Sequence, residues 1–157
     1  MAAKRSAGIL LYRPATDGNV EVLIVHMGGP FWARKDLAAW SIPKGEYVDD
    51  EEPLDVARRE FGEELGRPVP SGELIELGTV KQPSGKLVTA RALDADFDPT
   101  TAVSNTFVLE WPKGSGEMRE FPEIDRAEWF DIATARTKLV RGQVEFLDRL
   151  LERIAKR

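Results

Sequence analysis

Short apolar runs bounded by turn-forming residues predict most of the strands of this chain. Residues 7–12 and 21–26 are rich in Val, Ile and Leu, and Pro14 and Gly18 lie between them. Runs of this length, separated by a turn, are typical of two strands joined as a hairpin. By the same pattern, further strands are predicted over residues 39–42, 74–80, 87–93, 106–111 and 128–130.

The spacing of apolar residues changes to three and four residues between Pro53 and Gly66, which predicts a helix there. Pro53 stands in the first turn, where its missing N–H costs nothing, and Gly66 is typical of the position that follows a helix. Residues 45–50, before this helix, are predicted to be a loop. The stripe predicted to be buried consists of Leu54, Ala57, Phe61 and Leu65.

A second amphipathic helix is predicted at the end of the chain, where it packs on the sheet. Its apolar positions are Val144, Leu147, Leu150, Leu151 and Ile154. Strands on both sides of one central helix, followed by a terminal helix, predict an α/β fold with layers around a mixed sheet. The chain has 157 residues, which fits a single domain over residues 1–157.

Composition excludes several kinds of site. There is no cysteine and only one histidine, so a disulfide framework, a thiolate nucleophile and a Cys- or His-rich zinc site are excluded, and any metal must be bound by oxygen. The first apolar run ends at Arg13 and Pro14, too early for a signal peptide or a membrane span, so we expect a cytoplasmic protein without a membrane partner. Its oligomeric state is not predicted.

The net charge of −5 is concentrated in one segment. Residues 45–66 contain nine acidic and two basic residues, a net of −7, so the rest of the chain carries +2. An acidic chain gains little from the counterion release that drives binding to duplex nucleic acid, which we therefore do not expect as a partner. The negative charge of the chain is instead concentrated in residues 45–66.

Three glutamates of the predicted helix share one face. Glu60, Glu63 and Glu64 are three and four residues apart, and like charges at this spacing repel one another. A solvated acidic face is the ordinary explanation for such a cluster. The other explanation is a site for a hard cation such as Mg²⁺, which a few carboxylates hold together with substrate phosphates and water.

A wider pattern favours the cation site. Gly45 is followed after five residues by Glu51, and after seven more by the run Arg59-Glu60-Phe61-Gly62-Glu63-Glu64-Leu65-Gly66. This resembles the Nudix box, G-x5-E-x7-R-E-U-x-E-E-x-G-U with U apolar, and departs from it only at Arg67. The resemblance continues upstream through residues 40–45 and more loosely over residues 123–130. It implies a Nudix α/β/α sandwich with a central mixed sheet.

The resemblance also implies a reaction and its cofactor. Nudix hydrolases use Mg²⁺ or Mn²⁺ to cleave a pyrophosphate bond in a nucleoside diphosphate linked to another moiety. The implied metal ligands are Glu60, Glu63 and Glu64, with the backbone carbonyl of Gly45 or Lys44 as a further oxygen. Such metals neutralise phosphate charge and lower the pKa of a bound water.

Other positions of the motif imply supporting roles. Arg59 and Glu51 are expected to pair and to hold the loop against the helix, and Lys44 is expected to bind a substrate phosphate. Glu60 or Glu63 is the expected general base, although some family members use a glutamate on a distant loop. In this chain such a glutamate would come from the segment after Trp111, which is predicted to be mobile; the candidates are Glu117, Glu120 and Glu123, of which the last two rank equally.

The substrate is less well specified. Trp32 is the best candidate for stacking on a nucleobase, and simple packing is the alternative; His26 is expected to be structural. The run Trp-Ser-Ile-Pro-Lys-Gly resembles members that cleave dinucleoside polyphosphates, whereas Pro83 is similar to a proline of ADP-ribose-cleaving members. We expect a nucleoside triphosphate or a dinucleoside polyphosphate, with ADP-ribose or a nucleotide sugar as the alternative. A non-catalytic nucleotide-binding module is the second alternative.

Overall fold

A computed structural model describes residues 3–156, in nine strands, three α-helices and one 3₁₀ turn. Met1, Ala2 and Arg157, which the predicted domain includes, lie outside the described residues. The 3₁₀ turn spans Pro99–Thr101. The other elements are β1 (Arg5–Pro14), β2 (Val20–Met27), β3 (Trp40–Ser41), β4 (Lys44–Tyr47), α1 (Pro53–Leu65), β5 (Leu74–Lys81), β6 (Leu87–Asp94), β7 (Thr106–Glu110), β8 (Met118–Pro122), β9 (Ile124–Asp131), α2 (Ile132–Lys138) and α3 (Glu145–Ala155).

Seven strands form one mixed sheet. Its order is β3-β2-β1-β6-β5, with β4 paired to β1 and β9 paired to β2. The pair β1 and β6 is parallel and the other pairs are antiparallel. β7 and β8 form a separate two-stranded hairpin. The predicted hairpin of the first two strands and the mixed sheet are both confirmed.

The sheet carries a hydrophobic core on each face. Alternate residues of β1 point to opposite faces, so Leu10 lies in one core while Ile9 and Leu11 lie in the other. Helix α1 covers the second core with Ala57, Phe61 and Leu65. Helices α2 and α3 cover the first core with Ala135, Phe146, Leu147 and Leu150. The fold is therefore the expected α/β/α sandwich.

Helix α1 begins and ends where the sequence predicts. Pro53 lies in its first turn, and Gly66 follows it with a φ of 75°, a left-handed conformation that glycine adopts without a steric penalty. One part of the predicted stripe is wrong. Leu54, in the first turn of the helix, is only partly buried, and Val56, outside the predicted stripe, is buried.

Three segments differ from the sequence prediction. The predicted loop 45–50 is wrong at its start, because Lys44–Tyr47 forms β4. β2 pairs with β1 only over Tyr12–Pro14, near the end of β1, so β4 can pair with the first half of the same edge of β1, from Arg5 to Gly8. The segment predicted to be mobile contains β8, which pairs with β7. Helix α2 was not predicted because its seven residues are too few to display a helical period.

No helix within residues 3–156 is both long enough and apolar enough to cross a membrane.

Gly62 lies in the interior of α1, where glycine lowers helix stability. A Cβ atom added at this position would meet only the carbonyl oxygen of Arg67, at 3.9 Å, which is an ordinary contact. We therefore expect Gly62→Ala to raise the free energy of unfolding by about 1 kcal/mol, because alanine restricts the unfolded chain and favours the helix. Urea unfolding followed by circular dichroism measures this, and a lower stability of the variant would contradict it.

Candidate active site

Three carboxylates from two distant parts of the chain meet beside α1. Glu60 and Glu64 are four residues apart and lie on one face of the helix. Glu123 comes from the junction between β8 and β9. One oxygen from each of the three lies within 4.8 Å of the others, and all three residues are partly buried. This arrangement matches the geometry in which carboxylates share a cation.

Burial, together with repulsion from neighbouring carboxylates, raises the pKa values of these three glutamates. Burial is the main cause for Glu64 and raises its pKa to about 8, with further increases from Glu123 and Glu60 and an opposing effect of the Lys44 ammonium. Burial also raises the pKa of Glu60 and of Glu123, and the charge of Glu63 adds to both. The site therefore holds three carboxyl groups whose charged forms are unfavourable without a cation.

One oxygen of the cluster has an unfilled hydrogen-bonding capacity. Within the part of the chain that the structure describes, the buried Oε1 of Glu64 has no hydrogen-bond partner. Leaving a buried acceptor unsatisfied is costly, so such an atom in a folded protein calls for an explanation. The donor set consists of carboxylate oxygens, the ligands that Mg²⁺ and Mn²⁺ prefer. The residues fit a hard divalent cation.

Backbone hydrogen bonds hold Glu123 beside the helix. Its N–H donates to the carbonyl of Asn105 at 2.8 Å, and the Asn105 N–H donates to the carbonyl of Glu63 at 2.8 Å. The carbonyl of Glu123 accepts a hydrogen bond from the N–H of Gly28 at 2.9 Å. A Cβ at Gly28 would lie 2.1 Å from the carbonyl oxygen of Pro122, so only glycine permits this approach. The acceptor Glu63 belongs to the last turn of α1, where carbonyls lack helical partners.

Gly45 provides the surface on which Glu60 lies. A Cβ at Gly45 would be 1.9 Å from Cδ of Glu60 and 2.2 Å from its Cγ. Gly45 is itself held in β4, where it pairs with Ala7 of β1. The glycine therefore sets the position of the Glu60 carboxylate relative to the sheet.

An ion pair ties the segment before α1 to the helix. Arg59 donates from Nη1 to Glu51 at 3.0 Å, and the other oxygen of Glu51 accepts the N–H of Val48 at 3.1 Å. Nη2 of Arg59 lies 3.7 Å from Glu60, and its Nε lies 4.0 Å from Glu63. The expected pairing of Arg59 and Glu51 is thus present as a contact, and the same guanidinium offsets part of the negative charge of the glutamates.

Lys44 places a positive charge next to the cluster. Burial is the main cause that lowers the pKa of its ammonium, and the nearby Lys86 lowers it further. The carboxylates of Glu64, Glu46 and Glu60 act in the opposite direction, which shows that the charge of Lys44 is felt at the glutamate cluster. A desolvated ammonium beside a cation site is suited to bind a phosphate group.

Comparison with known proteins identifies the family. The family model described as NUDIX domain matches residues 2–150. The chain belongs to the Nudix family. No curated protein matches the sequence of this Nudix protein.

Several solved structures share the Nudix fold. The Nudix domain of Shewanella oneidensis NrtR, complexed with ADP ribose, has 15% sequence identity and a TM-score of 0.65, over 98% of this chain and 90% of that one. An Ap4A hydrolase of C. elegans in a binary complex has 16% identity and a TM-score of 0.66, over 97% and 99%. The C-terminal domain of mouse MUTYH, in a complex with human PCNA, has 19% identity and a TM-score of 0.61, over 99% and 91%. At these identities the likeness concerns the fold, which does not determine function.

The structure separates the glutamates that the Nudix box and its surroundings predicted. Glu60 and Glu64 lie in the cluster, while Glu63 lies beside it, with a side chain that is 38% exposed. Glu123 joins the cluster, whereas Glu120 is exposed on β8 and lies outside it. Of these two equally ranked glutamates only Glu123 lies in the cluster, and the role of a glutamate from this segment stays a prediction.

Trp32, the candidate for base stacking, and His26, which was expected to be structural, lie on the face of the sheet opposite α1. Trp32 packs against the core that α2 and α3 cover, and Nζ of Lys35 lies 5.2 Å from its ring centre. Packing is thus the interpretation that the structure supports for Trp32. His26 is buried, with Nδ1 2.7 Å from a carboxylate oxygen of Asp125 and Nε2 2.5 Å from the carbonyl oxygen of Lys35. These contacts bind the loop after β2 to β9.

Proposed function

We propose that this Nudix protein hydrolyses a pyrophosphate bond in a nucleoside diphosphate linked to another moiety, with Mg²⁺ or Mn²⁺ as cofactor. The observation that carries the proposal is the cluster of Glu60, Glu64 and Glu123, whose ligand oxygens lie within 4.8 Å of one another. The buried, unpartnered oxygen of Glu64 supports it, because a cation would satisfy that atom.

Each charged residue near the cluster has a proposed role. Glu60, Glu64 and Glu123 hold the cation, with a carbonyl of Gly45 or Lys44 as a further ligand. The bound metal supplies neutralisation of phosphate charge and a lowered pKa of water. Lys44 binds a substrate phosphate, and the pair of Arg59 and Glu51 keeps the segment before α1 against the helix.

Glu63 is the proposed general base. It lies outside the ligand cluster, yet close enough to raise the pKa of both Glu60 and Glu123. Its partial exposure lets it accept the proton of an attacking water and pass it to solvent. Glu60, the other candidate from the sequence, is proposed as a ligand because its carboxylate is part of the cluster.

For the substrate we propose a nucleoside triphosphate or a dinucleoside polyphosphate. The ammonium of Lys44, which lies near the carboxylates of Glu64 and Glu60, supports binding of a phosphate group of such a chain. The Ap4A hydrolase of C. elegans shows that the fold accommodates such chemistry in another protein. ADP-ribose or a nucleotide sugar is the alternative, supported by the NrtR domain complexed with ADP ribose. A cytoplasmic location is part of the proposal.

A phosphate-release assay tests the proposed reaction. The purified protein is incubated at alkaline pH with Mg²⁺ or Mn²⁺ and with nucleoside triphosphates, diadenosine polyphosphates, ADP-ribose or nucleotide sugars. We expect hydrolysis of one of these classes, complete loss of it in EDTA, and a loss of about 100-fold or more in kcat for Glu63→Gln, because a general base contributes at least that much. If Glu63→Gln keeps the rise in Tm that Mg²⁺ produces, Glu63 is not a metal ligand, and the loss of kcat is due to the missing base.

Glu120→Gln is the matched control for the assay. It removes the same charge from an exposed position of β8 outside the cluster, so its kcat is expected to stay unchanged. If the wild-type protein hydrolyses none of the four classes with either metal, the catalytic proposal is wrong and the non-catalytic nucleotide-binding module takes its place.

A further inference from the structure

Two segments run side by side away from the glutamate cluster. One is the loop after β2, over residues 28–31, and the other is the hairpin of β7 and β8. At the cluster, Gly28 donates to Glu123. One residue further, Gly29 packs on the ring of Phe107, where an added Cβ would lie 2.9 Å from Cζ. These contacts define a direction from the carboxylates toward the tip of the hairpin.

Two aromatic side chains meet at the outer end of this path. The rings of Phe31 and Trp111 have their centres 5.4 Å apart and are inclined at 72°. Phe31 is 60% exposed and Trp111 is partly exposed, so ring surface of both residues faces solvent. We call this pair the aromatic platform. An exposed Phe beside a Trp offers aromatic ring surface on which an apolar or aromatic group can pack.

The hairpin has one apolar face that leads to the platform. Side chains alternate along a strand, so Phe107, Leu109 and Trp111 share a side, together with Phe121, which pairs with Phe107. The four are partly buried. On the opposite side, Val108 is 59% exposed. The side shared by Phe107 and Trp111 is therefore the one that lies toward the loop after β2.

We propose that the aromatic platform binds the nucleobase of the substrate by stacking. The inference rests on the proposed function and names how the nucleoside part of that substrate is held. Every base has a π-face, and stacking on aromatic side chains is a major source of affinity for nucleotides. Gly28, Gly29 and Phe107 connect the platform to Glu123 without a break. One substrate molecule can therefore place its base on the platform and its phosphates at the carboxylates.

Binding of diadenosine tetraphosphate tests this proposal independently of turnover. Dissociation constants of a non-hydrolysable, methylene-bridged analogue are measured by equilibrium dialysis in Mg²⁺ for the wild type and for Trp111→Leu, Phe31→Leu and Trp111→Phe. We expect weakening of about 10-fold or more for the two leucine variants, since they keep apolar bulk but lose the ring. Trp111→Phe keeps a ring and is expected to retain most of the affinity. Inorganic tripolyphosphate, which has no base, is expected to bind all four proteins equally.

Val108→Ala is the matched control, because Val108 lies on the opposite side of the same hairpin and its substitution is expected to leave binding unchanged. Unchanged thermal unfolding shows that each variant folds. Wild-type affinity in both leucine variants would overturn the platform even if hydrolysis is found. Base-dependent binding that requires Trp111 in a protein without turnover would instead support the platform and contradict the proposed reaction.

Discussion

Replacing Glu64 by Gln is expected to lower metal-dependent hydrolysis by about 100-fold or more. Burial raises the pKa of Glu64 to about 8, so its charged form is unfavourable without a cation. An amide has one oxygen, carries no charge and cannot replace a carboxylate as a ligand of a hard cation. The variant is also expected to lose the rise in Tm that Mg²⁺ produces in the wild type.

The same substitution changes how stability depends on pH. The pKa of Glu64 is about 8 in the folded protein and near 4.5 when unfolded, so between these values the folded state holds a proton that the unfolded state releases. The free energy of unfolding of the metal-free wild type therefore falls as pH rises through this window, and Mg²⁺ offsets the fall by binding the deprotonated carboxylates. In EDTA at pH 8.5, Glu64→Gln is expected to be more stable than the wild type by ~1–3 kcal/mol.

Thermal unfolding from pH 5 to 8.5, in EDTA and in Mg²⁺, measures the pH dependence of stability and the rise in Tm that Mg²⁺ produces. Glu120→Gln is the control, because it removes one carboxylate charge from the exposed side of β8. Its Tm is expected to follow the wild type at every pH and to keep the response to Mg²⁺. Full hydrolytic activity of Glu64→Gln would contradict the ligand assignment, whatever its stability.

Gly45→Ala is expected to lower activity by about 100-fold although it adds only a methyl group and no charge. The new Cβ would lie 1.9 Å from Cδ of Glu60, so that the Glu60 side chain must move away from its position in the cluster. Displacement of a site residue by about 1 Å is enough for a loss of this size. Because a flexible side chain can yield, the Tm in EDTA is expected to change little.

Steady-state kinetics and Mg²⁺ titration of Tm measure the effect of Gly45→Ala. The matched control is Gly62→Ala, the same chemical change in the same motif, at a position where the new Cβ meets only an atom 3.9 Å away. The control is expected to keep full activity. Equal activity of the two variants would show that the close approach of Glu60 to Gly45 is not needed for the reaction.

Local spacing in the sequence was sufficient to predict α1 and the part of the site that it carries. Pro53 and Gly66 delimit the helix, and the four-residue separation of Glu60 and Glu64 places both on one face, whatever the rest of the chain does. The pair of Arg59 and Glu51 joins residues eight positions apart and follows from the same short motif. The helix and the shared face of Glu60 and Glu64 depend on local helix geometry, whereas the pair with Glu51, which precedes the helix, was expected from the resemblance to the Nudix box.

Pairing between strands that are distant in sequence determined the rest of the site and the strand order of the sheet. The third carboxylate is Glu123 and not Glu120, because the β7 and β8 pairing and the hydrogen bonds of Asn105 and Gly28 place residue 123 at the end of α1. β4 forms because β2 leaves half of one edge of β1 free, a fact absent from the residues 44–47 themselves. Which strands meet depends on the sum of many long-range contacts, so spacing along the chain does not contain it.

The charge distribution shows the same division. The nine acidic residues in 22 positions left a solvated face and a cation site as alternatives, and the wider motif, which resembles the Nudix box, favoured the cation site. Burial and repulsion from neighbouring carboxylates raise the pKa values of Glu60, Glu64 and Glu123, and burial is a property of the packed sheet and helix. The sequence by itself determined the helix, its acidic face and the family; the tertiary structure decided which carboxylates share one site, since only folding brings residue 123 to residues 60 and 64 and removes water from them.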